Sequence, residues 1–194
     1  TAVQALRSRL LEKGIDVRIL ACENSEAGGA QPDYPLKHFM FPVFEPIIKA
    51  NGYRYPQVDK TIIRKAVEWA DVIHLMEGFP LQSTAARIAS KLGKPCVGTY
   101  HIFTDNITAN LEIGYDTFVN RLINKWWSSS VYNRCLSVQC PTQKVKEHLE
   151  KNGYTSQLRV ITNGIELSAP VKSDFDPHTR PIRILCTGRL STAA

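Results

Sequence analysis

An α/β fold, with a Rossmann-like parallel sheet flanked by helices, is what the sequence predicts. Short apolar runs of strand type recur at "DVRILAC" (16–22), "DVIHLM" (71–76), "PCVGTY" (95–100), "CLSVQC" (135–140) and "LRVITNG" (158–164). Segments with helical spacing separate most of them, and Gly14, Gly93 and Gly153 stand where those helices should stop. Such alternation implies a parallel sheet with right-handed crossovers, whose ligands bind beyond the carboxyl ends of the strands.

Taken in order, Val3, Leu6 and Leu10 give a helix over 1–13. A helix there with no strand before it, and a chain that stops inside a strand-and-turn unit at 182–194, give the expectation of a fold truncated at both ends. Glu23 to Pro35 reads as a loop, and "KHFMFPVF" (37–44) as a short strand kept near a sheet edge by Pro42. Ile62, Ile63, Ala66 and Trp69 mark one stripe of a helix over 59–69. The unbroken run "DVIHLM" predicts a central strand covered on both faces. Further helices are expected over about 83–92, 115–134 and 143–151. The expected organisation is a domain over 1–167 lacking its first strand, a proline-rich linker over 168–181, and the start of a second domain over 182–194.

At 194 residues the chain suits one domain plus part of another. Apolar residues at 43% and charged residues at 22% exclude a disordered or fibrous class. No apolar run approaches the roughly 18 residues of a membrane-spanning helix. Cys22, Cys96, Cys135, Cys140 and Cys186 are scattered, form no C-x-x-C pair and lie mostly in strand contexts, which predicts inert reduced thiols and a cytoplasmic protein. Much of the net charge of +6 falls in 117–151, where six basic residues meet two acidic ones for a local +4. Such a patch could meet the phosphates of a nucleotide, a nucleic acid or an anionic lipid surface, or be the solvated face of two helices.

The strand ends supply the candidate polar groups: His74 and Glu77, then Thr99, Tyr100 and His101, then Thr142, Asn163 and Gly164, and last Gly188 and Arg189. An imidazole at His101 could donate to a sugar hydroxyl or move a proton near neutral pH, or simply be a satisfied hydrogen-bonding group. His74, inside its strand, reads as structural, and Glu77 as a lone cleft carboxylate. Gly188 allows close approach of a ligand to the backbone, and the Arg189 guanidinium can grip a phosphate with two parallel hydrogen bonds. Phe118, Leu122 and Trp126 recur every four residues beside Arg121 and Lys125. They suggest either a membrane-interface helix that includes Trp126 and Trp127 or ordinary core packing. Phosphate-loop, dinucleotide, serine-hydrolase and zinc signatures are all absent.

Together, "DVIHLMEGFPL", "GKPCVGTYH", "VQCPTQKVKEHL", "VITNGIEL" and "ILCTGRLS" resemble, in order and spacing, the N-terminal domain of family 4 glycosyltransferases of the GT-B fold. "YNRCLSVQCPTQKV" is similar to the subgroup that glucosylates diacylglycerol. The resemblance implies retaining, metal-independent transfer with no cofactor, from a nucleotide-diphosphate sugar to a hydroxyl acceptor such as a membrane lipid. It implies further that His101 approaches the donor sugar. Gly188, Arg189, Asn163 and Gly164 would bind the donor, and Glu77 and Tyr100 would lie on the acceptor side. Work from the cytoplasm, peripheral to the inner face of the plasma membrane, would suit such an acceptor. No lysine follows Arg189 in "STAA", and the family's glycine-rich loop does not precede Thr1, so residues 1–194 alone are expected to be inactive. The competing expectation is a noncatalytic Rossmann-like module whose basic patch holds a nucleic acid or protein partner.

Overall fold

The computed structural model describes residues 2–24, 30–42, 44–50, 52–110 and 118–164. The expected linker, the strand from Ile182, Gly188 and Arg189 lie outside the described residues. Helix α1 (Ala2–Glu12) forms as its apolar spacing predicts, and β1 (Leu20–Cys22) pairs in parallel with β2 (Tyr34–Leu36).

The second strand differs from expectation. It lies at Tyr34–Leu36, not within 37–44, where only an isolated antiparallel bridge joins His38 to Pro56 and helix α2 (Glu45–Ala50) follows. Proline is tolerated in β2 for a geometric reason. Tyr34 N–H donates to the Ile19 carbonyl and Glu23 N–H to the Leu36 carbonyl, so residue 35 turns its missing donor away from β1.

Helix α3 (Lys60–Trp69) starts at Asp59, whose carboxylate accepts from the Thr61 and Ile62 N–H groups, a cap worth about 1 kcal/mol. It buries Ile63, Ala66 and Val67. Strand β3 (Ile73–Leu75), α4 (Pro80–Lys91), β4 (Cys96–Thr99), α5 (Thr104–Asn110) and α6 (Phe118–Ser130) follow. A 3-10 turn (Tyr132–Arg134), β5 (Ser137–Cys140), α7 (Gln143–Lys151) and β6 (Gln157–Val160) complete the described chain. Thr142 caps α7 through the Val145 N–H, and Gly153, at φ 77°, ends it in a conformation that side chains with a Cβ rarely adopt.

The larger sheet is fully parallel in the order β3-β4-β5-β6, with α/β crossovers as expected. Strand β3 is its first strand, not a central one, and pairs with β4 alone in that order. The register puts Leu75, Gly98 and Val138 on one face and His74, Thr99 and Gln139 on the other. The first face is the core, where Leu75, Cys96, Val138 and Cys140 are buried beneath α4, α6 and the 3-10 turn. The second face carries polar residues. Among the described residues, no helix is long and apolar enough to cross a membrane. Cys22, Cys96, Cys135 and Cys140 are free thiols, and burial pushes all four upward, Cys135 to about 12, so they pack as small hydrophobes.

Candidate functional site

The four parallel strands present their carboxyl ends on one side, and residue parity decides which side chains stay accessible there. On the polar face a ladder of side chains crosses three strands. The Thr99 hydroxyl donates to Gln139 Oε1 at 3.3 Å, while His74 Nε2 lies 2.7 Å from Thr99 Oγ1. Gln139 Nε2 then donates 3.0 Å to the carbonyl of Ile161, just past β6. Because Thr99 has one proton and spends it on Gln139, His74 must supply the proton between them. The imidazole therefore carries its hydrogen on Nε2, an assignment inferred from the network.

Tyr100, expected on the acceptor side, points the opposite way. It is 1% exposed and packs against Trp127, Tyr132 and Tyr154 at ring-centroid distances of 5.9, 5.4 and 5.9 Å. It is a core residue with no surface for a ligand, and burial pushes its hydroxyl pKa up. Adjacent strand residues alternate faces, so Thr99 and Tyr100 could not both line the cleft.

His101 follows directly and is half-buried. Burial lowers its pKa and also that of His74, on which the nearby His101 acts in the same direction, so both imidazoles favour the neutral form. The short link from His101 to α5 is held from below. Thr104, fully buried, accepts from Asn124 Nδ2 at 2.8 Å, and Tyr154 donates to Asn124 Oδ1 at 3.2 Å. Asn120 Nδ2 donates 2.6 Å to Asp105. Composition gave no hint of this α5–α6 joint; its sequence signal is the pair Asn120 and Asn124, one turn apart on the face that α6 buries.

Glu77 lies just past β3, half-buried, with its carboxyl pushed up by burial. Its charge reaches Tyr55, whose hydroxyl is pushed up to about 12 by burial and, secondarily, by Glu77 and Tyr53. Next to it Gly78 is buried against α6, and a Cβ there would come within 2.5 Å of the Trp127 ring. Only glycine admits that contact. Asn163 and Gly164 are exposed beyond β6.

The two adjacent tryptophans separate as a helix requires. Trp127 is 2% exposed in the aromatic core, so it leaves the set of interface candidates, while Trp126 is 41% exposed beside the exposed Arg121 and Lys125. Among the described residues, no three His, Cys, Asp or Glu side chains gather to hold a metal ion.

No curated protein and no solved structure matches the chain. The family model described as Glycosyltransferase Family 4 matches it over residues 1–169, a span that includes the polar ladder, His101 and Glu77. By that match the chain belongs to glycosyltransferase family 4.

Proposed function

We propose that the protein transfers a sugar from a nucleotide-diphosphate donor to a hydroxyl acceptor, with retention at the anomeric carbon and without a metal. Residues 1–167 are read as the acceptor side of a GT-B cleft. The observation that carries this reading is His101: a half-buried imidazole, kept neutral by burial, at the carboxyl end of a central strand. As the diphosphate departs, positive charge grows on the anomeric carbon. A neutral imidazole can hydrogen-bond a sugar hydroxyl there without opposing that charge.

In this reading Glu77 faces the acceptor, Asn163 and Gly164 approach the donor, and Gly188 with Arg189 receives the diphosphate. The decisive experiment uses a protein carrying this chain together with its donor-binding domain. His101→Ala should cut turnover by roughly 100-fold or more with an unchanged unfolding midpoint. Full turnover in that variant would remove His101, and no turnover with any nucleotide sugar in a broad panel would remove the reading.

A lipid acceptor, such as diacylglycerol, draws support from α6. Phe118, Leu122 and Trp126, at 65%, 50% and 41% exposure, form an outward apolar stripe beside Arg121 and Lys125. Aromatic and aliphatic groups flanked by cations suit the boundary of an anionic bilayer. Such a protein would act from the cytoplasm on the inner face of the plasma membrane.

A further inference from the structure

A cleft of about 340 Å³ lies beyond the carboxyl end of β2, lined by His38, Lys49, Gly52, Tyr53 and Arg54. Three of its five lining residues carry cations or can become cationic. Two of these three carry a buried nitrogen without a hydrogen-bond partner: His38 Nδ1 and Arg54 Nη1. Buried polar atoms are nearly always paired, and orphan nitrogens on two residues lining one basic cleft, Arg54 Nη1 as a donor and His38 Nδ1 as a donor once the ring is protonated, ask for a ligand with acceptor oxygens.

The Glu45 carboxylate already serves two of these bases. Glu45 Oε1 lies 2.8 Å from His38 Nε2 and 3.8 Å from Lys49 Nζ, and its Oε2 accepts from the Phe41 N–H at 3.2 Å. Glu45 therefore orients the two bases and leaves His38 Nδ1 as the free end of the ring. Tyr53 lines the cleft, and the same segments carry Phe39, Met40, Phe44 and Ile47, all exposed. Cations beside exposed apolar side chains fit an amphipathic anion better than an inorganic one.

We propose that this cleft is a binding subsite for a phosphate or carboxylate group on the acceptor, with the exposed apolar side chains of the same segments taking the apolar part of that molecule. The subsite deepens the transferase reading and rests on it for the word acceptor. Tyr55, the residue after Arg54, packs edge-on at 5.0 Å against Phe79, two residues after Glu77.

The test is titration calorimetry on the 194-residue chain with methyl phosphate, dihexanoyl phosphatidic acid below its micelle threshold, and neutral dihexanoylglycerol. Dihexanoyl phosphatidic acid should bind at least tenfold tighter than the neutral diglyceride. If methyl phosphate binds as well as the tailed phosphate, the ligand is a small anion; if it binds much more weakly, the ligand is an anionic lipid. The first result keeps the anion subsite and removes the apolar contact; the second keeps both. Arg54→Gln and Lys49→Gln should each weaken phosphate binding at least fivefold. Should Arg54→Gln lower the unfolding midpoint, the exposed Lys49 decides. Equal affinity for charged and neutral diglyceride, no binding of either phosphate, or no effect of Lys49→Gln overturns the proposal. Binding is read without sugar transfer. Inactivity of the two-domain protein beside intact phosphate binding would remove the transferase reading and leave the anion site.

Discussion

His74 donates from Nε2 to the Thr99 hydroxyl, 2.7 Å away, and Thr99 passes its own proton on to Gln139. Each donor in this row depends on the next residue for an acceptor, so the polarity of the ladder runs one way, from β3 toward β6. It holds the backbone from which His101 projects, since Thr99 ends β4 two residues earlier.

Thr99→Val tests that arrangement. Valine keeps the branched shape and removes the hydroxyl, leaving the His74 N–H and the Gln139 carbonyl without their shared partner. Because His74 is exposed and Gln139 half-buried, water can replace part of the lost bonding, and the expected loss is about 0.5–1.5 kcal/mol by urea unfolding, with an unchanged slope. In the two-domain protein, turnover should fall with little change in donor KM. A variant as stable and active as the parent would mean that the ladder constrains nothing.

The tryptophan pair gives a sharper contrast. Trp127 meets Phe79, Tyr100 and Tyr132 edge-on or nearly so within 6.4 Å, and Gly78 lies directly on its ring. Trp127→Ala should cost about 3–5 kcal/mol through cavity formation. Gly78→Ala should cost about 1–3 kcal/mol through overpacking. Trp126→Ala should stay within about 0.5 kcal/mol of the parent yet reduce sedimentation with anionic vesicles severalfold. Undiminished vesicle binding in Trp126→Ala would detach α6 from the membrane reading.

What the sequence could reveal followed from how local each signal was. Helix α7 was legible because Thr142 and Gly153 bracket it within eleven residues of chain. The alternation of strands and helices was legible for the same reason. Strand β2 was hidden because Pro35 reads as a breaker unless the outward direction of its missing N–H is known. Strand β3 read as central from its apolar run, although the strand order that makes it terminal is a nonlocal property. Tyr100 was assigned to the cleft because it ends an apolar run, whereas the register of Thr99 against Gln139 fixes it on the core side. For Trp126 and Trp127 the sequence left interface and core open, and only the contacts with Phe79 and Tyr100 put Trp127 in the core. The His38 and Arg54 cleft was not visible at all, since its residues are scattered through two segments with no periodicity.

Acidification supplies a test of the paired imidazoles. Burial, and for His74 also His101, lowers both folded pKa values below the usual 6.5 or so of an unfolded histidine. Below that pH the unfolded chain binds protons that the folded chain refuses, so stability is complete above about pH 6.5 and is lost as the pH falls from there toward the folded values. Glu77, raised by burial, works in the opposite sense: what it contributes is present in acid and is lost as the pH rises above the usual carboxylate range near 4.3. A comparison with His74→Gln separates these groups, because glutamine can still offer Thr99 an N–H but does not titrate. Chemical unfolding at intervals from pH 8 to pH 5 should show the parent losing stability on acidification more steeply than His74→Gln. Parallel curves would show that His74 titrates alike in the folded and unfolded chain, and would remove the neutral imidazole from the account of this site.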